Sequence, residues 1–130
     1  MNKEIFKTNR YFILSDFKAS HGQLLLRSSM DDENEKNIDI IFFGTKYVQL
    51  FTSLKNVIIR IIDRKEMSKY NSINLFLSTE ENFLFEIEAN NEMYYIGASY
   101  VKVFENELGF NETSLGLTYE GRDKEIASSI

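Results

Sequence analysis

Residues 82–104 read NFLFEIEANNEMYYIGASYVKVF, and this stretch decides the fold class. Over 82–88, Phe83, Phe85 and Ile87 recur at every second position, with Glu86 and Glu88 between them. Side chains alternate between the two faces of a strand, so this period of two puts the Phe and Ile residues inward and the glutamates outward. Asn90-Asn91 follows, and both residues suit the left-handed backbone of a tight turn. Beyond it, Tyr94–Phe104 reads as the longest strand. Tyr94, Ile96, Ala98 and Tyr100 share one face; Tyr95, Gly97, Ser99, Val101 and Val103 share the other. The expectation is a hairpin over 82–104 about Asn90-Asn91.

Strand character recurs outward from there. Val57–Ile62 is β-branched apart from Arg60 and reads as a largely buried strand. Ile38–Phe43 places Ile38, Ile40 and Phe42 on one face and Asp39 on the opposite face beside Ile41 and Phe43. Gly44-Thr45-Lys46 reads as a tight turn into a strand over Tyr47–Phe51, giving a second expected hairpin. Gln23–Arg27, with Leu24-Leu25-Leu26, is another strand, and Glu4–Leu14 supplies one or two more. Ile73–Leu77 reads as a short strand. Ser20-His21-Gly22 is a turn, and the wholly polar run Asp31–Asn37 is an exposed loop. Asp63–Tyr70 breaks the pattern, and Asp63 could cap a single helical turn there. After Phe104 the pattern fades, with Gly109, Gly116 and Gly121 interrupting it. This end reads as loop with an edge strand at most, and about 120–130 as a mobile tail. The spacing predicts an all-β, single-domain antiparallel β-sandwich or barrel over 1–130, of about eight strands with at most one short helix.

Composition narrows the functional classes. Hydrophobic residues make up 43% of the 130 residues, which is a globular and not a disordered composition. There is no Cys, so neither a disulfide nor a thiolate metal site exists. No run approaches 18 apolar residues, the length a membrane-crossing helix needs, and the polar Met1–Lys7 segment is not read as a signal peptide. The expected location is therefore the cytoplasm. Charge is uneven: residues 1–79 carry twelve Lys or Arg against nine Asp or Glu, and residues 80–130 carry three against eleven. The halves are thus +3 and −8, and the acidic half fits either a solubilising surface or a face for a basic partner. Nucleic acid is not an expected ligand, because phosphates require a clustered positive footprint.

The residues that could carry chemistry read mostly as ordinary surface. His21, the only histidine, sits at a turn, and no Gly-x-Ser-x-Gly elbow accompanies it. Asp39 faces an apolar side and is read as a rim residue paired with Lys46 or Arg60. The Asp31–Glu35 run lacks the central Gly of a calcium loop and reads as solvated. Arg60, Arg64, Lys65 and Lys69 form a basic cluster without a phosphate-cradling Gly-rich loop. Neither a catalytic set nor a metal or cofactor site is expected, so the chain reads as non-enzymatic. Tyr94, Tyr95 and Tyr100 are the candidate binding aromatics, since Tyr joins large area to a polar tip. Glu86, Glu88, Glu105 and Glu107 are the candidate acidic contacts.

Two segments, Ser20–Ser28 (SHGQLLLRS) and Asn37–Gly44 (NIDIIFFG), resemble a group of small, poorly characterised proteins of Gram-positive bacteria. Some of these are encoded beside secreted or wall-associated polymorphic toxins and look like immunity proteins. Neither segment is a catalytic motif, so no residue role is carried over. The resemblance implies a cytosolic protein that binds and blocks a toxin domain, and a basic toxin domain would suit the acidic half. The expected function is a protein-binding module of immunity type; the alternative is a small β-barrel holding an apolar ligand among its aromatic side chains.

Overall fold

The computed structural model describes residues 2–63, 74–116 and 120–130. Among them, nine strands form one antiparallel sheet: β1 (Lys3–Lys18), β2 (Gln23–Ser28), β3 (Asn37–Phe43), β4 (Tyr47–Gln49), β5 (Ser53–Ile61), β6 (Phe83–Ala89), β7 (Glu92–Ala98), β8 (Tyr100–Asn106) and β9 (Lys124–Ser128). Their order is β4-β7-β6-β5-β1-β2-β3-β8-β9, with β4 and β9 at the two ends, so the sheet does not close into a barrel. The all-β expectation holds.

The sheet bends because β1 serves two neighbours in turn. Residues 3–13 of β1 pair with β5 and residues 13–18 pair with β2; Ile13 stands opposite both Ser53 and Arg27. Register shifts between Thr8 and Tyr11 and between Leu14 and Asp16 mark bulges on either side of that crossover, and a bulge bends and twists its strand. One arm of the sheet is therefore β4-β7-β6-β5 with the first part of β1, and the other is the rest of β1 with β2-β3-β8-β9. Their inner faces meet in a single core that takes Leu54, Val57, Ile59, Phe85, Ile87 and Ile96 from one arm and Leu24, Leu26, Ile40, Phe42, Val101 and Val103 from the other. Phe42 meets Phe85 edge-on across this core, ring centroids 5.6 Å apart at 69°.

A second corner lies at Ser99 and corrects two expectations. Tyr94–Phe104 is not one strand. The chain passes from β7 in one arm to β8 in the other, and the inward parity changes from Tyr94, Ile96 and Ala98 to Val101 and Val103. Strands that switch layers at a bend are the usual corner device of packed sheets. The Ser99 amide donates to the Phe43 carbonyl (2.8 Å), and that of Lys46 donates to the Gly97 carbonyl (2.9 Å). The link from β3 to β4 crosses at the same corner. The expected hairpin of residues 38–51 is therefore absent: β3 pairs with β2 and β8, and β4 pairs with β7. The Thr45 amide is held by the Gly22 carbonyl (2.8 Å), which steers the chain across to the other arm. Gly22 is left-handed (φ 57°), and a Cβ there would come within 2.8 Å of the Thr45 nitrogen.

The hairpin about Asn90-Asn91 forms as expected, with both residues at positive φ (55° and 60°). The Asn90 side chain also bonds the Lys55 amide and the Ser53 carbonyl, tying the turn to β5. Residues 74–77 form a helical turn, α1 (Asn74–Leu77), in place of the expected strand. Phe76 lies against the Cβ-free position of Gly97, and Leu77 packs with Ile62 and Leu84 on the outer face of the first arm. The helical turn expected near 63–70 falls, beyond Asp63, outside the described residues. The expected tail at 120–130 is instead structured: Lys124–Ser128 pairs with β8 as β9, and Arg122 is buried.

Phe42→Ala should lower folding stability by about 3–5 kcal/mol, because it removes a wholly buried ring from the seam between the arms. Urea unfolding reads this, and a loss under about 1 kcal/mol would mean that the arms do not pack as described.

Candidate functional site

The runs Leu24-Leu25-Leu26 and Ile40-Ile41-Phe42-Phe43 are apolar on both faces of their strands, so the outer face of the second arm also needs cover. Leu25, Ile41, Phe43 and Phe104 make a cluster there, with Tyr100 stacked on Phe43 at 4.6 Å. The cover comes from the coil after β8. Leu115 packs into the cluster, and the Arg122 guanidinium lies over the rings of Phe43 (5.2 Å) and Phe104 (5.8 Å).

A coil laid on a sheet must satisfy its own peptide groups, and here buried side chains do so. Asp39 is wholly buried and accepts four hydrogen bonds. Arg27 binds it in a two-pronged pair (Nε–Oδ1 2.7 Å, Nη2–Oδ2 2.8 Å), joined by Asn106 Nδ2 (2.9 Å) and Ser114 Oγ (2.6 Å). The remaining Arg27 nitrogen, Nη1, donates to the carbonyls of Glu112 (2.6 Å) and Gly109 (3.3 Å). Gln23 accepts from the Gly116 amide at 2.8 Å, Asn37 donates to the Leu108 carbonyl at 2.8 Å, and Arg122 donates to the carbonyls of Ser114 and Gly116, each at 2.9 Å. Asp39 is thus no rim residue. Its partner is Arg27 and neither Lys46 nor Arg60, because β2 and β3 place Arg27 directly opposite it.

Pinned in this way, the coil projects a turn over 109–112. The Glu112 amide donates to the Gly109 carbonyl (2.9 Å), and the Gly109 amide donates to the Glu112 side chain (2.7 Å). Phe110 stands at its tip with 93% of its surface exposed. Facing the turn is the outer row of β1 at its crossover, with Tyr11 (52% exposed) and Ile13 (49%). The far wall is the loop after β2. Arg10 holds that loop, its Nη2 donating to the carbonyls of Ser28 (3.0 Å), Ser29 (3.2 Å) and Lys36 (3.0 Å) and its Nε to Ser28 Oγ (3.0 Å). Burial pushes the Arg10 guanidinium below its ordinary pKa, against the raising fields of Asp31 and Glu105. The result is an open groove of about 820 Å³ lined by Tyr11, Ile13, Met30 and Phe110. It continues into a cleft of about 330 Å³ beside Asp16, Leu25 and Glu112.

The residues singled out from sequence do not gather here. Tyr94 is buried in the core, its hydroxyl donating to Glu92 at 2.9 Å. Tyr95 is half-buried beside the α1 cluster, and Tyr100 is stacked on Phe43. Glu86 and Glu88 sit on β6, both held by Arg60 at 3.0 Å. The Arg60 guanidinium is partly desolvated, which alone would lower its pKa, but its bonds to Glu88 and Glu86 raise it on balance. Glu105 and Glu107 lie at the end of β8 on the other arm, where Glu107 pairs with Lys36 at 3.1 Å and holds its ammonium pKa above the ordinary value. Arg60 and Lys36 thus join cations of the first half of the chain to carboxylates of the second. His21 is exposed in a turn over Ala19–His21. Among the described residues no group of three or more His, Asp or Glu side chains is placed to hold a metal ion. Of the basic cluster, Arg64, Lys65 and Lys69 lie outside the described residues.

Phe110, Tyr11, Ile13 and Met30 were missed by the sequence reading, although two signals were present. Tyr11-Phe12-Ile13-Leu14 is an unbroken apolar run on a strand, so two of its four side chains must face away from the core. Phe110 sits between Gly109 and Asn111, turn-forming residues that favour an exposed position. No protein-family model matches the chain, and no curated protein and no solved structure is detectably similar to it.

Two outcomes follow from this geometry. Asp39→Ala strands a buried guanidinium and should cost about 3–5 kcal/mol, whereas the joint replacement Arg27→Met with Asp39→Leu should recover part of that loss, the bonds to the coil staying lost. Chemical denaturation of the single and double variants reads this, and simple additivity would contradict a paired role. The exposed Asp31 carboxylate is held below its ordinary value of 3.8, chiefly by the Glu33 amide and then by the Asn34 side chain. Its contribution to loop order is full above that ordinary value and lost as pH falls through the lower native one. The Glu33 and Asn34 amide shifts should therefore titrate at a pH below the ordinary carboxylate value of 3.8 in the native chain and not in Asp31→Asn.

Proposed function

We propose that this chain is a non-enzymatic protein-binding module of immunity type, a cytoplasmic protein that blocks a bacterial toxin domain by covering it. The observation that carries the binding reading is Phe110, a fully exposed aromatic held on a doubly hydrogen-bonded turn beside exposed Tyr11 and Ile13. Rigid aromatic anchors ordered before contact are typical of residues that dominate interface energies. The packed Phe42–Phe85 seam and the open sheet favour a solid binding body over a barrel that carries an apolar ligand. The resemblance of residues 20–28 and 37–44 to immunity-type proteins points to a toxin domain as the partner, and the net charge of −5 favours a basic one.

The test begins with the neighbouring gene, which should encode a toxin-type protein, and continues with co-expression and co-purification of this chain with that protein's terminal domain; a metabolic operon there would count against the reading. A stoichiometric complex is expected, with growth restored in cells that express the toxin domain and with association slowed severalfold by raising salt from about 0.05 M to about 0.5 M. A toxin domain that stays unbound at low salt and keeps its toxicity would end this reading.

A further inference from the structure

We infer that the groove between the outer row of β1 and the 109–112 turn receives a basic segment of the protein partner. One aliphatic or aromatic side chain of that segment sits between Ile13 and Phe110, and its Lys or Arg side chains reach the carboxylates around them. This rests on the protein-binding reading and names the surface and the chemistry of what it takes.

The groove is ordered before anything binds. An exposed aromatic is common on protein surfaces and means little alone. Phe110 differs because its turn is closed by the two bonds between Gly109 and Glu112 and is fastened from beneath by Arg27. Across the groove, Tyr11 and Ile13 are fixed by strand pairing with Lys55, Ser53 and Arg27. A partner side chain entering here therefore displaces water from apolar surface without the entropy loss of ordering a loop.

The polar half is the charge balance. Asp16, Asp31, Glu33 and Glu112 line the two joined clefts, against the guanidiniums of Arg10 and Arg27. Arg27 is already matched by the buried Asp39, and Arg10 donates to three carbonyls of its own chain. Lys36 gives the groove wall only its carbonyl; its ammonium turns to Glu107 and Asp123. With Asp39 counted, five carboxylates stand against the two guanidiniums of Arg10 and Arg27, so the joined clefts are net negative, and that charge sets the field that an incoming segment meets. Such a field attracts Lys and Arg, and it repels acidic peptides and phosphates.

The test uses two 12-residue peptides with the same Leu and Phe residues, one interspersed with Lys and the other with Glu. Each is titrated into the full chain while the methyl and aromatic NMR signals of Tyr11, Ile13, Met30 and Phe110 are followed. The Lys peptide should shift these signals. Its affinity should fall at least tenfold in Phe110→Ala, whose side chain is too exposed to matter for folding, and severalfold in Glu33→Gln. The Glu peptide should leave the signals unmoved. Equal binding of both peptides, shifts confined to other surfaces, or no shift at all would overturn the groove assignment. The toxin-domain complex is scored on the whole protein, so its formation with affinity unchanged by Phe110→Ala would overturn this site and leave protein binding standing.

Discussion

The buried Asp39 carboxylate is the constraint on which the outer half of this structure depends. A buried charge is tolerated only when it is paired and hydrogen-bonded, and Arg27, Asn106 and Ser114 give this one four donors. Two of those residues, Arg27 and Asn106, lie on strands flanking β3, and Ser114 lies on the coil that covers it. The carboxylate thus fastens the coil to the sheet. Without that cover, Leu25, Ile41, Phe43 and Phe104 would form an exposed apolar patch on the second arm.

The same fastening links architecture to the groove. Arg27 faces Asp39 with two nitrogens and the Gly109 and Glu112 carbonyls with the third, so one guanidinium sets the height of the Phe110 turn above the sheet. The opposite wall exists because β1 changes partners at Ile13. A strand that must leave one layer for the other turns its outer row, Tyr11 and Ile13, toward solvent at the crossover. Neither feature alone makes a recognition surface. Together they place rigid apolar groups opposite one another with carboxylates beside them.

What was legible in the sequence was what local pattern determines. The faces of β3 follow from alternation, so Asp39 was correctly set beside Ile41 and Phe43. The β6–β7 hairpin follows from two residues able to take positive φ between two alternating runs. What was not legible depended on contacts between distant residues. Ser99 carries no breaker signal, and the parity change there arises because β8 joins β3 in the other arm. Gly44-Thr45-Lys46 looks like a reversal, yet a bond from Thr45 to Gly22 sends the chain across. The charge asymmetry of the two halves was real in sequence, but Arg60 meets Glu86 and Glu88, and Lys36 meets Glu107, so position along the chain did not translate into a single acidic face. Strands β2 and β3 hold both members of the Arg27–Asp39 pair, which supports the groove from beneath.

Amide hydrogen exchange of the chain with the protein partner proposed for it, compared with the free chain, tests the central claim most directly. The account expects new protection over residues 9–15, 28–34 and 109–113, with the outer face of β6 and β7 unchanged. Protection confined to β6 and β7, around Glu86, Glu88 and Tyr95, would contradict it.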